Sequence, residues 1–136
     1  MRLEFAARRW QKQKKTAGED TLPHGSGPYI RTDALIREIV KKRLAHADPD
    51  YLAWFFHDRL AGLCVAACVA ARAQSHIETV ALSGGVFQNR LFLALCEKKL
   101  QHAGFSVLRH HLVPANDGGL ALGQAVRAAV YLQEQE

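Results

Sequence analysis

The chain reads as an α/β fold, helix-rich, with one short parallel strand–helix–strand unit toward its C-terminal end. Three observations lead there. Thr79–Leu82 is a β-compatible run without polar alternation, residues 87–103 repeat Leu91, Phe92, Leu95 and Leu100 at helical steps, and Phe105–Leu108 is a second β-compatible run. A strand, a helix and a strand within about thirty residues form a right-handed crossover, which makes the two strands parallel.

The totals fit one compact domain over residues 1–136, since 49% hydrophobic and 23% charged residues can build a real core. The longest uncharged apolar run, Leu60 to Ala71, falls short of the roughly 20 residues of a membrane span, and "MRLEFAARRWQKQKK" lacks the apolar centre of a secretion signal. A cytoplasmic protein with no membrane partner is expected. The formal charge of +5 (18 basic less 13 acidic residues) is concentrated in residues 2–15 and 37–43 without interleaved stacking aromatics. It is read as a solvated basic face, and nucleic acid is not expected as a partner. Cys64, Cys68 and Cys96 form no CxxC pair and are read as buried structural thiols.

Each element has a local cause. Residues 2–15 place Leu3, Phe5, Ala6 and Trp10 on one side of a helix and Arg and Lys on the other. "TAGEDTLPHGSGPY" is turn chemistry, so residues 16–30 are a loop or linker. Thr32 or Asp33 caps a helix to about His46, in which Leu35, Ile36, Ile39, Val40 and Leu44 recur at three- and four-residue steps. Asp48-Pro49 opens the next, because the carboxylate accepts orphan amide protons and proline loses no needed donor at the first position. That helix runs to about Ser75, and "LAGLCVAACVAARA" within it is apolar nearly all round, as between two layers. Thr79–Leu82 is expected to be covered on both faces. Gly104 stops the following helix, and Leu120–Leu132 closes the chain as an alanine-rich helix.

In a parallel unit, the loops leaving both strands emerge on one edge of the sheet, where open α/β folds hold ligands. Here they are Ser83-Gly84-Gly85 and Asn116-Asp117-Gly118-Gly119. Glycine lets main-chain amides approach an anion closely, and the helix start adds unpaired N–H groups, so either loop could hold a phosphate. A Gly-Gly pair at such a turn is also often needed for the turn alone. Asn89 is placed one turn into the helix, its amide within reach of the edge. Asp117 is either a helix N-cap or a hard oxygen ligand for a phosphate-bridging metal. The seven histidines show no metal-ligand spacing; His57, among aromatics in a long helix, reads as a hydrogen-bonded core residue. No nucleophile motif and no catalytic acid–base residue stands out.

"LSGGVFQNRLF" followed by "PANDGGLALGQA" resembles the C-terminal part of the Kae1-like domain in the hydrogenase maturation carbamoyltransferases of the HypF family. "LEFAA", "GPYIRTDALIREI" and "FFHDRLA" look like the matching upstream segments. The resemblance implies the second lobe of an actin-like ATPase (ASKHA, Kae1/TsaD-like) fold, a three-layer piece whose strands belong to a larger sheet. It implies a nucleotide at Ser83, Gly84, Gly85, Asn89 and Gly118, a divalent metal (Fe, Zn or Mg) at Asp117, and no catalytic residue on this chain. In that family carbamoyl phosphate and ATP give carbamoyl adenylate, and the carbamoyl group passes to the C-terminal cysteine of a HypE-type acceptor during nickel–iron hydrogenase maturation. The first lobe and upstream HypF domains are further partners implied, and the chain alone is expected to be inactive. The alternatives are a non-enzymatic interaction fragment and a piece of a Kae1/TsaD-like tRNA threonylcarbamoyltransferase.

Overall fold

A computed structural model describes residues 2–13 and 32–134. The expected loop at 16–30 lies outside the described residues, as do residues 14 and 15 of the first expected helix. In chain order the elements are α1 (Arg2–Gln13), α2 (Asp33–Leu44), α3 (Pro49–Ser75), β1 (Thr79–Leu82), α4 (Arg90–His102), β2 (Ser106–Arg109) and α5 (Leu120–Gln133). Short 3-10 turns, Gly85–Gln88 and Asp117–Gly119, precede α4 and α5.

The spine is α3. Asp48 caps it as its sequence requires: Oδ1 accepts from the amides of Asp50 at 2.7 Å and Tyr51 at 3.2 Å, a cap contributing about 1 kcal/mol. Two apolar clusters then divide its length. The N-terminal half gives Ala53, Trp54, Phe55 and Leu63 to a core shared with Ala7 of α1, Leu35 of α2 and Leu91 of α4. Further along, Ala61 and Val65 meet Leu82, Phe92, Cys96, Leu100 and Phe105. By length and composition alone α3 could cross a membrane, but here α1, α2 and α4 pack along it. An Arg9–Asp50 pair, with two contacts of 2.7 Å, ties α1 to its first turn.

Gly104 ends α4 as expected. Its φ of +84° suits a residue without Cβ, the Phe105 amide donates back to Leu100 O at 3.0 Å, and the Gly104 amide donates to Gln101 O at 3.0 Å. Phe105 and Leu100 close the motif by packing in the second cluster. Arg72 of α3 adds a cation at this helix end, donating to Ala103 O at 3.0 Å and lying 4.2 Å from the centre of the Phe105 ring.

The two strands pair in parallel, Thr79 with Ser106 through Leu82 with Arg109. One expectation fails here. Val80, Leu82 and Val107 face the helices, whereas Thr79, Ala81, Ser106 and Leu108 are exposed, so β1 is covered on one face only. The described residues thus make two layers and not three. The cause is in the packing: α3 and α4 share the second cluster on one side of the sheet, and α5 does not return to the other. All the described residues of α5 are exposed, including Leu120, Leu122, Val126, Val130, Tyr131 and Leu132.

Candidate functional site

The parallel register carries the chain out of β1 and β2 side by side. Since Leu82 pairs with Arg109, the next residues, Ser83 and His110, are neighbours. Their side chains meet, with Ser83 Oγ and His110 Nε2 2.9 Å apart. One residue further, the Gly84 amide donates to Ala115 O at 2.7 Å. The two loops singled out in the sequence therefore form one continuous edge.

Gly84 makes that edge possible. Its φ of 105° and ψ of 160° lie in a region essentially closed to residues with a Cβ. A Cβ on either glycine would meet nothing within 4 Å, so Gly85, whose φ is not positive, is not required by its backbone as Gly84 is. The glycine pair thus divides its work: the first is required by the backbone, and the second leaves open space. The Gly84 amide serves loop pairing, so it is not free to receive an anion.

The helix that follows is also less available than its sequence suggests. Asn89 is not one turn inside α4 but its N-cap, with Oδ1 accepting from the Phe92 amide at 3.0 Å. The Leu91 amide donates to Glu4 Oε1 of α1 at 3.3 Å, and that carboxylate also pairs with Arg8 at 2.8 Å. A protein carboxylate therefore occupies the part of the helix start where a phosphate was expected to find unpaired amides. Asn89 Nδ2 points inward, 2.7 Å from Nε2 of the buried His57, the core histidine read from the sequence.

The second loop is held by its own residues. Asn116 Oδ1 accepts from the Gly118 amide at 3.1 Å and Asn116 O from the Gly119 amide at 3.0 Å. A Cβ on Gly119 would lie 2.9 Å from Pro114 O, and one on Gly118 would lie 3.1 Å from Asn116 Oδ1. Asn116 thereby takes the capping task that was one reading of Asp117. The Asp117 carboxylate is exposed and makes no hydrogen bond or ion pair with another described residue. One such oxygen donor does not make a metal site, and no group of three His, Cys, Asp or Glu able to hold an ion occurs among the described residues. Any metal at Asp117 would need its remaining ligands from outside these residues.

The three thiols lie between α3 and α4, but only Cys96 is buried as expected, with Cys64 and Cys68 half-buried. The Cys96 thiol donates toward Cys64, which lowers the Cys64 pKa and raises that of Cys96, while burial raises Cys68.

The parts played by three residues of the edge escaped the sequence reading. His110 was legible in principle, because a βαβ register puts the residues after both strands side by side. Asn116 had a local signal as the residue opening an Asn-Asp-Gly-Gly turn. Glu4 had none, since its partner is 87 residues away.

Residues 1–124 match the family described as carbamoyltransferase, Kae1-like domain, second subdomain. Among curated proteins, the carbamoyltransferase HypF of Rhodobacter capsulatus is 40% identical over 85 residues, covering 62% of this chain and 11% of that protein. The carbamoyltransferase HypF homolog of Cupriavidus necator is 43% identical over 75 residues, covering 54% of this chain and 19% of the relative. Among solved structures, T. kodakarensis HypF superposes with a TM-score of 0.75 at 28% identity, covering 98% of this chain and 17% of that one. A full-length HypF in the phosphate- and nucleotide-bound form gives a TM-score of 0.67 at 35% identity, covering 74% of this chain and 13% of that one. Helices on one face of a short parallel sheet, with two glycine turns on one edge, are here the form of a Kae1-like second subdomain. The chain belongs to the HypF carbamoyltransferase family, as the second subdomain of its Kae1-like domain. It spans less than a fifth of the length of each of these relatives.

Proposed function

We propose that this chain is the second-lobe part of a HypF-type carbamoyltransferase and forms one wall of its nucleotide site. In this reading ATP meets the edge made by Ser83, Gly84, Gly85 and Gly118, with Asn89 at the head of α4. Asp117 gives one oxygen to a divalent metal completed by groups outside the described residues. The reaction is formation of carbamoyl adenylate from carbamoyl phosphate and ATP, with transfer of the carbamoyl group to a cysteine of a HypE-type acceptor. On its own the chain is inactive, because a single carboxylate and one wall of a cleft do not position two substrates. The observation that carries the reading is the bond from the Gly84 amide to Ala115 O at 2.7 Å, which joins the two glycine turns. Supporting it, one HypF relative has been crystallised with nucleotide and phosphate.

Calorimetry of ADP and magnesium with the chain, supplemented by the first subdomain of a HypF relative, tests this. Binding is expected with the native sequence, loss of it with Gly85→Val, whose side chain would fill the open space, and loss of metal dependence with Asp117→Ala. Heat that is absent with the native sequence, or unchanged in Gly85→Val, would contradict the proposal.

A second reading, that of a non-enzymatic interaction module, has an observation of its own. The apolar residues of α5 are exposed, and so is Leu108 on the outer face of the sheet. Scattering that shows a stable monomer without nucleotide binding to any supplemented complex would leave neither reading standing.

A further inference from the structure

His57 is the one buried polar or charged side chain recorded among the described residues, 2% exposed in the middle of α3. Its two ring nitrogens face different partners. Nδ1 is 2.7 Å from Ala53 O, and a carbonyl can only accept, so the proton is on Nδ1. Nε2 then presents a lone pair. Opposite it, at 2.7 Å, stands Asn89 Nδ2. The orientation of that amide is set independently, since Oδ1 accepts from the Phe92 amide at 3.0 Å and leaves Nδ2 as the group facing inward. Donor meets acceptor at every step from the Ala53 carbonyl to the Phe92 amide.

One N–H and one oxygen lone pair of the Asn89 side chain are therefore used within the protein, which fixes the orientation of its amide. The backbone of Asn89 carries that orientation to the edge, since its amide donates to Val86 O at 3.1 Å and closes the Gly85–Gln88 turn. Phe87 in that turn stacks on Phe92 of α4, with ring centres 5.7 Å apart. The residue type follows from this. Asp would cap α4 equally well, but it has no donor for Nε2.

We infer that His57 is a positioning residue for the Gly84–Gln88 turn, acting through Asn89, whose side chain it holds in one orientation. This rests on the reading above that the turn meets a nucleotide, but its first test does not. Long-range proton–nitrogen spectra of the imidazole in the chain alone should show the proton on Nδ1 and a hydrogen-bonded Nε2. Asn89→Asp keeps the cap and sets acceptor against acceptor, so it should move the proton to Nε2 or add a second one, and shift the Gly84 and Gly85 amide resonances. A role in capping alone leaves those signals as in the native chain.

In the supplemented complex, His57→Leu should weaken ADP binding by about tenfold or more, the scale expected when a binding turn is misplaced. His57→Gln, whose side-chain oxygen can still accept from Asn89, should restore most of it. A native His57 protonated on Nε2, or glycine amides unmoved in Asn89→Asp, would overturn the inference even if ADP binds. Equal ADP affinity in His57→Leu and the native complex would do the same. Should His57→Leu fail to fold, the imidazole spectra and the Asn89→Asp and His57→Gln variants decide. Absence of ADP binding to the native complex would instead overturn the functional reading and leave the tautomer result standing on its own.

Discussion

The two turns that form the edge are stabilised in opposite ways. Gly84–Asn89 is tied to the interior: Asn89 reaches the buried His57, Phe87 stacks on Phe92, and Glu4 of a distant helix accepts from the Leu91 amide just beyond. Asn116–Gly119 is tied mainly to itself, through Asn116 and the crowding of Gly119 against Pro114, and it leads into a helix with no buried residue. Between them run the Gly84–Ala115 and Ser83–His110 contacts. The first turn is thus preformed by the core and the second is aligned by the first. The edge thus has one half fixed by the core and one half that carries an exposed helix.

Substitutions can break that contrast in order of size. Gly84→Ala should cost most, about 1–3 kcal/mol, because no residue with a Cβ is comfortable at this backbone conformation. Denaturant unfolding should register the loss, and the Ala115 carbonyl should lose its partner. Gly119→Ala places a Cβ 2.9 Å from a backbone oxygen, yet the turn it pushes carries an exposed helix and can yield. About 1 kcal/mol is expected, with amide shifts confined to residues 113–120. A cost exceeding that of Gly84→Ala would reverse the ranking of the two turns.

The smallest effect concerns the tether of α1, which brings Glu4 to the head of α4. Hydrogen bonding to the Arg9 guanidinium lowers the Asp50 pKa below the ordinary carboxylate range. A carboxylate more acidic when folded stabilises the fold above the unfolded-state pKa, and that contribution is lost as pH falls through the folded-state value. Both groups are at the surface, so the contribution is small and screened by salt. Asp50→Asn should flatten the acid limb of a melting-temperature profile slightly. An unchanged limb would show that α1 is held by its apolar contacts and Glu4 without help from this pair.

Much of the fold was legible because its signals are local. Asp48-Pro49 announces α3, Gly104 announces the end of α4, and the glycine pairs announce turns leaving parallel strands. What was not legible depends on partners distant in sequence. The start of α4 moved from Phe87 to Arg90 because Asn89 caps it, and the reason for an asparagine there is a histidine 32 residues earlier. The helix start looked open to an anion until Glu4 filled it. The apolar character of β1 implied cover on both faces, yet Ala81 and Leu108 face outward. Apolar composition reports what a strand could bury, and only the arrangement of neighbouring layers decides what it does bury.

The joining of the two turns can be measured most directly through scalar coupling across the hydrogen bond from the Gly84 nitrogen to the Ala115 carbonyl carbon, recorded together with amide exchange at Gly84. A resolved cross-peak and an amide exchanging far more slowly than in an open loop are expected. A missing cross-peak with free exchange at Gly84 would mean that the loops leaving the two strands are separate, and no shared wall for a nucleotide would remain.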